Sequence, residues 1–337
     1  MKRVTTQPAK MWLIGLLPVC LCAVAVAFPS LRSFAQDDLT KAPATEPVQS
    51  PAEKAAKTKP VQQEVQMVLV NATVTDPYGR LVTGLDQHNF QIFEDNTEQE
   101  VVHFSSEDVP VSIGMIFDMS GSMANKFEKS RLAAVQFFKT ANPKDEFFLI
   151  SFNDRAQLSS GFTDSVEELQ ERLMFTSAKG RTALLDGIYL GLSQMKTAHN
   201  PKRALLIISD GGDNHSRYSE SDVRTFLKEA DIQLFAIGIF EQPGYCPTPE
   251  ECSGPDLLND ITAMTGGRVF RVNKLDELPD TATKISMELR NQYVLGYRPS
   301  NHAHNGKWRK IRIRLRPPKG LPPLTVYSKT GYLAPGH

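Results

Sequence analysis

The stretch Ile116-Phe117-Asp118-Met119-Ser120-Gly121-Ser122-Met123 closes an apolar run, Val111 to Asp118, on a carboxylate and then sets two hydroxyls two residues apart. Asp118, Ser120 and Ser122 stand at i, i+2 and i+4 around the small Gly121, so one loop can turn three oxygen donor groups toward a common centre. Oxygen donors of this kind are what a hard divalent cation takes.

Outward from that loop, strand and helix patterns alternate. Val111 to Asp118, Glu146 to Phe152, Ala204 to Asp210, Ile232 to Phe240 and Arg268 to Val272 read as strands. Phe127 to Thr140, Val166 to Phe175, Ala183 to Met195, Glu220 to Ala230, Pro255 to Thr265 and Glu277 to Arg290 read as helices. The runs RALLIISD, ending at Asp210, and IQLFAIGIF, ending at Phe240, are almost wholly apolar, which requires a sheet covered on both faces. The fold class is therefore α/β, an open, mostly parallel, doubly wound sheet. Such sheets bind ligands beyond the carboxyl ends of their strands. Asp118 and Asp210 each end an apolar strand, so both carboxylates are expected at that edge. Thr182, at a helix start in KGRTALLDGI, offers a third loop's hydroxyl.

Asp118-x-Ser120-x-Ser122 after a strand, Thr182 in Gly-x-Thr-Ala-Leu, and Asp210-Gly at another strand end together resemble the metal-ion-dependent adhesion site of von Willebrand factor type A domains. The resemblance covers about residues 108–292. The flanking VTDPYGRLVTGLDQHNFQIFED and the terminal YVLGYRPS, GKWRKIRIRLRPP and TGYLAP resemble the β segments around this domain in exported bacterial proteins of the same kind. The resemblance implies Mg2+ or Mn2+ held directly by Ser120, Ser122 and Thr182, with Asp118 and Asp210 acting partly through water. It also implies an open coordination position that takes an Asp or Glu of a protein partner, hence a metal-dependent binding or adhesion module and not an enzyme.

Each residue also has a plainer role open to it. Ser120 and Ser122 can cap the following helix and Thr182 the next, while Asp210-Gly211-Gly212-Asp213 suits an ordinary turn. A structural scaffold whose metal only stiffens the loops is a second reading. A metal-assisted hydrolase is a third, with His215 as its only nearby base. The chain has no Gly-x-Gly-x-x-Gly after a strand, no phosphate loop, no His-Glu-x-x-His and no Gly-x-Ser-x-Gly elbow.

The rest of the chain sets organisation and compartment. Lys2, Arg3 and Lys10 precede the uncharged run Met11 to Phe28, and Ser33-Phe34-Ala35 follows, which reads as a signal peptide over 1–35 or a retained membrane anchor. Either places the bulk of the protein outside the cytoplasm: secreted, periplasmic or on the cell surface. Residues 36–62, rich in Pro, Ala, Lys and Glu, read as a disordered linker. Segments 63–107 and 293–337 carry β patterns and are predicted to pair into one small β-sandwich around the domain at 108–292. Lys and Arg number 38 against 38 Asp and Glu, a balance that argues against nucleic-acid binding. On the strand KWRKIRIRLRPP, Ile311, Ile313 and Leu315 share one face, and Lys310, Arg312, Arg314 and Arg316 the other. That basic face reads as a wet sheet face whose balancing acids the opposite strand can supply, with a surface for an anionic glycan or lipid as the alternative.

Cys246 and Cys252 flank a Pro-containing loop in GYCPTPEECSG, and in an exported chain such a pair reads as a disulfide. Alkylation of unreduced, denatured protein is expected to leave both thiols unmodified. Quantitative labelling of the two would show that the pair is not bridged.

Overall fold

The computed structural model describes residues 67–174, 176–240 and 248–336. The expected leader, the linker and Cys246 lie outside the described residues. Within the described chain, β1 (Val68–Thr75), β2 (Phe90–Glu94), β3 (Thr97–Gln99) and β4 (Val101–Ser105) come first. Next are β5 (Val111–Asp118), α1 (Phe127–Lys139), β6 (Glu146–Phe152), β7 (Ala156–Thr163), α2 (Val166–Met174) and α3 (Leu184–Gln194). They are followed by β8 (Lys202–Ser209), α4 (Glu220–Glu229), β9 (Gln233–Ile239), α5 (Pro249–Met264), β10 (Val269–Val272) and α6 (Leu278–Arg290). The chain closes with β11 (Tyr293–Tyr297), β12 (Trp308–Leu315), β13 (Thr325–Ser328) and β14 (Gly331–Leu333). Among the described residues no helix is long and apolar enough to cross a membrane.

The central sheet has the order β10-β9-β8-β5-β6-β7, with every pair parallel except β6 with β7. Its inner strands β9, β8, β5 and β6 are buried on both faces because α1, α2 and α6 cover one side and α3, α4 and α5 the other. On the first side Phe117, Phe137, Phe147 and Phe235 meet Leu173 and Ile285. On the second Ile116, Phe148 and Leu205 meet Ile188, Val223 and Leu258. Burying each such side chain is worth about 1.5–3 kcal/mol, which is why the strands carry so few polar residues. The doubly wound α/β fold expected from the apolar runs is thus what the chain forms.

Three details depart from the sequence reading. Strand β7 has no counterpart in it, because Ala156–Thr163 is half exposed at the sheet edge and lacks an apolar run. Helix α5 begins at Pro249 and carries Pro255 in its interior, where a start at Pro255 is the simpler expectation. Leu324 to Leu333, which reads as one strand, divides into β13 and β14, and these belong to different sheets.

Two antiparallel sheets, β13-β1-β11-β4 and β14-β12-β2-β3, form the flanking sandwich, and each interleaves strands from both ends of the described chain. Val68 opposes Tyr297 in one, and Ile92 opposes Ile313 in the other. Val70, Val74, Phe90, Ile92, Leu295 and Ile311 pack between them. The β2–β3 hairpin turns on Asp95 and Asn96, both at positive φ (45° and 73°), the backbone sign that a two-residue hairpin loop demands.

Arg309 lies in this core and not on the wet face. It is 4% exposed, with Nη1 donating to Glu94 Oε1 at 3.3 Å and to the Asn301 carbonyl at 2.6 Å. Glu94 also accepts from the Tyr297 and Tyr332 hydroxyls at 2.8 and 2.9 Å. On the outer face, the strand opposite supplies Phe93 and Gln91 where balancing acids are expected. The Arg312 and Arg314 guanidinium carbons sit 5.5 and 4.9 Å from the Phe93 ring centroid, so cation–π contact takes the place of ion pairing there. Glu94→Gln leaves the Arg309 cation buried without a counter-charge and is expected to cost about 3–5 kcal/mol in urea unfolding. The double change Glu94→Gln with Arg309→Met should recover a large part of that loss.

Candidate metal centre

Strands β5 and β8 are parallel neighbours, with Phe117 opposite Ile208, so their ends bring Asp118 and Ser209 to one edge of the sheet. Asp118 is fully buried. Its Oδ1 accepts the Ser120 backbone N–H at 2.8 Å, which folds the following loop back over the strand end. Its Oδ2 accepts the Ser209 hydroxyl at 2.6 Å. The hydroxyls of Ser120 and Ser122 lie 3.0 Å apart. Ser120 precedes the 3-10 turn Gly121–Met123 without making a side-chain cap bond, and the residue capping α1 is Lys126. The capping role open to Ser120 and Ser122 is therefore not the one they fill.

Thr182 reaches the same edge through backbone contacts between loops. The Gly121 N–H donates to Gly180 O at 2.9 Å, and Lys179 N–H to Met119 O at 2.8 Å, so the α2–α3 loop docks on the Asp118 loop. Gly180 makes this approach at φ +85°, with Asp154 Oδ1 accepting the next N–H, from Arg181, at 2.9 Å. The loop after Asp210 closes the arrangement, because Asn214 N–H and His215 N–H both donate to Thr182 O at 3.0 Å. Thr182 is 5% exposed, and the cap position of α3 belongs to Ala183, so Thr182 does not cap it either. All five residues predicted from sequence thus lie on three loops, linked by these contacts, at the carboxyl edge of the sheet.

Several contributors escaped the sequence reading. Ser209 orients Asp118, and its place as a hydroxyl inside an otherwise apolar strand was the available signal. Asp186 on α3 accepts from the Arg217 and Tyr218 N–H groups at 2.8 and 3.1 Å, anchoring the far side of the Asp210 loop. Lys126 is the largest omission: it is 6% exposed, and its Nζ lies 3.3 Å from Asp210 Oδ2. His215, the hydrolase candidate, is exposed, with Nδ1 3.4 Å from Arg181 Nη1. Neither Asp118 nor Asp210 is among its hydrogen-bond partners.

The electrostatics of the edge are those of crowded anions. Burial first, and then repulsion from Asp210, push the Asp118 carboxyl up to about 7, against the pull of its bonds from Ser120 and Ser209. Burial also raises Asp213. Asp210 Oδ1 is buried and has no hydrogen-bond partner. Two buried carboxylates, an orphaned carboxylate oxygen and three nearby hydroxyls form an all-oxygen donor set, which fits a hard divalent cation. Among the described residues no group of three or more His, Cys, Asp or Glu is placed to hold a metal. Any cation here must draw on the serine and threonine hydroxyls.

Residues 114–212 match the family model of the von Willebrand factor type A domain. That span contains all five candidate ligands. An uncharacterized protein of Borreliella burgdorferi is 22% identical over 199 residues, 52% of this chain and 57% of that protein. The inter-alpha-trypsin inhibitor heavy chain H4 of Sus scrofa is 24% identical over 161 residues, 42% of this chain and 18% of that protein. The chain thus spans about half the length of the first of these relatives and under a fifth of the second. A solved von Willebrand factor type A structure from Catenulispora acidiphila aligns over 80% of this chain and 75% of its own, at 12% identity and a TM-score of 0.48.

The Asp210 loop depends on one close backbone approach. Gly211 sits at φ +86°, and a Cβ there would lie 2.9 Å from the carbonyl carbon of Gly254 in α5, with no flexible side chain to yield. Gly211→Ala is expected to cost about 3 kcal/mol or more in urea unfolding. Gly79→Ala, at φ +74° with nothing within 4 Å of the new carbon, should cost only about 1 kcal/mol and isolates the backbone component.

Proposed function

We propose that this chain is an exported, non-enzymatic protein-binding module whose site takes Mg2+ or Mn2+ and, through it, an Asp or Glu of a protein partner. The observation that carries the reading is the buried Asp210 Oδ1, left without a hydrogen-bond partner in a site that also buries Asp118. An unpaired carboxylate oxygen held out of water is costly unless something positive is meant to meet it. The type A family match over 114–212 supports the same reading, and the predicted leader over 1–35 supports export.

Asp118, Ser120, Ser122, Thr182 and Asp210 would hold the ion. Bound there, the cation supplies an electrophilic position that a partner carboxylate can enter by displacing water. The chain's own residues prepare that position. Ser209 and the Ser120 N–H fix the Asp118 carboxylate in one orientation. The Gly121–Gly180 and Thr182–Asn214 contacts hold the three loops in register, so little ordering remains to be done on binding. Three of the five donors are neutral hydroxyls, which leaves part of the ion's charge for the incoming acid.

Asp118→Ala is expected to lower Mn2+ affinity roughly hundredfold or more, by removing one of only two charged ligands, while circular dichroism stays that of the folded chain. Thr182→Ala should lower it less. Proteins captured from envelope extract should be released by excess chelator and should not be captured by Asp118→Ala. Capture that survives both treatments would overturn the metal-centred mechanism and favour the scaffold reading.

A further inference from the structure

Lys126 is an unusual residue for its position. A lysine is seldom buried without a counter-charge, and here a carboxylate of the proposed metal site stands within ion-pair distance. Its backbone is fixed on both sides: the N–H donates to Met123 O at 2.9 Å, while its carbonyl accepts the Ser130 N–H at 3.0 Å and the Ser130 hydroxyl at 2.9 Å. Lys126 therefore stands rigidly at the joint between the 3-10 turn that carries Ser122 and the start of α1. From there the side chain reaches Asp210 Oδ2, while Oδ1 of the same carboxylate has no hydrogen-bond partner.

We infer that Lys126 is a built-in competitor for the divalent cation: its ammonium neutralises Asp210 in the metal-free protein, and metal entry requires it to leave. The inference rests on the metal-binding reading above and adds to it what sets the affinity. Asp118 and Asp210 bring two negative charges when ionised. Lys126 offsets one of them, and a divalent ion offsets both. With the ion at the free Oδ1 and the ammonium still at Oδ2, two cations would sit on the two oxygens of one carboxylate in a buried, poorly screened setting, where like charges a few Å apart repel strongly. A lysine suits this exchange, since its charge is a point at the end of a flexible four-carbon stem and can swing away without moving the backbone. The ion pair therefore keeps the metal-free loops assembled and weakens metal binding at the same time. The two effects have one cause.

The tests are calorimetric Mn2+ titration and urea unfolding in chelator, on the full chain and on Lys126→Met, Lys126→Gln and Lys126→Arg. Lys126→Met and Lys126→Gln should each bind Mn2+ roughly tenfold or more tightly than the parent chain, and each should unfold at lower urea in chelator. Lys126→Arg, which keeps the charge, should stay near the parent in affinity. A second measurement needs no variant: acylation of Lys126 by an amine-reactive ester, read by peptide mass spectrometry, should rise when Mn2+ is added. Parent chain and neutral variants binding Mn2+ equally well, with Lys126 equally protected in both conditions, would overturn the competition and leave the ligand set standing. Absence of Mn2+ binding in the parent and in every variant would overturn the metal reading itself. Binding by the neutral variants alone would establish the competition in its strongest form.

Discussion

Everything at the candidate site follows from the hydrogen bond between Ser209 and Asp118. It joins the ends of two adjacent parallel strands and holds a fully buried carboxylate at the edge where the sheet stops. Parallel pairing is what makes this contact available, because it brings strand ends of the same polarity side by side. Once Asp118 is fixed there, its second oxygen receives the Ser120 N–H, the loop turns back, and Gly121 meets Gly180. The α2–α3 loop is then committed, and with it Thr182 and the contacts to the segment after Asp210. A chain of short polar contacts, each depending on the one before, replaces the apolar packing that holds the rest of the domain.

The central sheet and the site edge were legible in the sequence for one reason: both are written in runs. RALLIISD cannot be half exposed, and a carboxylate at the end of such a run has only the sheet edge to occupy. The five candidate ligands were found on that basis and through the resemblance to type A domains, and the structure puts them on three neighbouring loops. Lys126 was not legible, because nothing local distinguishes a lysine that will be buried against Asp210 from the exposed Lys129 one turn on. Its role depends on a tertiary meeting between residues 126 and 210.

The sequence leaves Arg309 unplaced, for a different reason. Strict two-residue alternation puts it on the same face as Ile311 and Ile313, so the period pointed to the core while the charge pointed outward. The period was right, since Glu94, Tyr297 and Tyr332 from other strands supply what the guanidinium needs. Strand β7 was hidden for the opposite reason, as an edge strand with a wet side has no need of an apolar run. The division of Leu324 to Leu333 into two strands was also out of reach, because the pattern continues smoothly across a point where the chain passes from one sheet to the other.

The interleaving of early and late strands in both sheets of the sandwich governs the order in which the molecule can be assembled. Thr73 and Gln292, hydrogen-bonded in the finished sandwich, are separated by 219 positions. The strands of the central sheet all lie between these two and need nothing from beyond them to pair. As the chain is made, the β2–β3 hairpin can form alone, but β1 and β4 lack β11 and β13, and the hairpin lacks β12, until residues 293–328 have followed. The sandwich thus closes only when residues 293–333 join the early strands: a chain cut short after the α/β segment keeps the loops of the candidate site but leaves β1 and β4 and the β2–β3 hairpin with open strand edges.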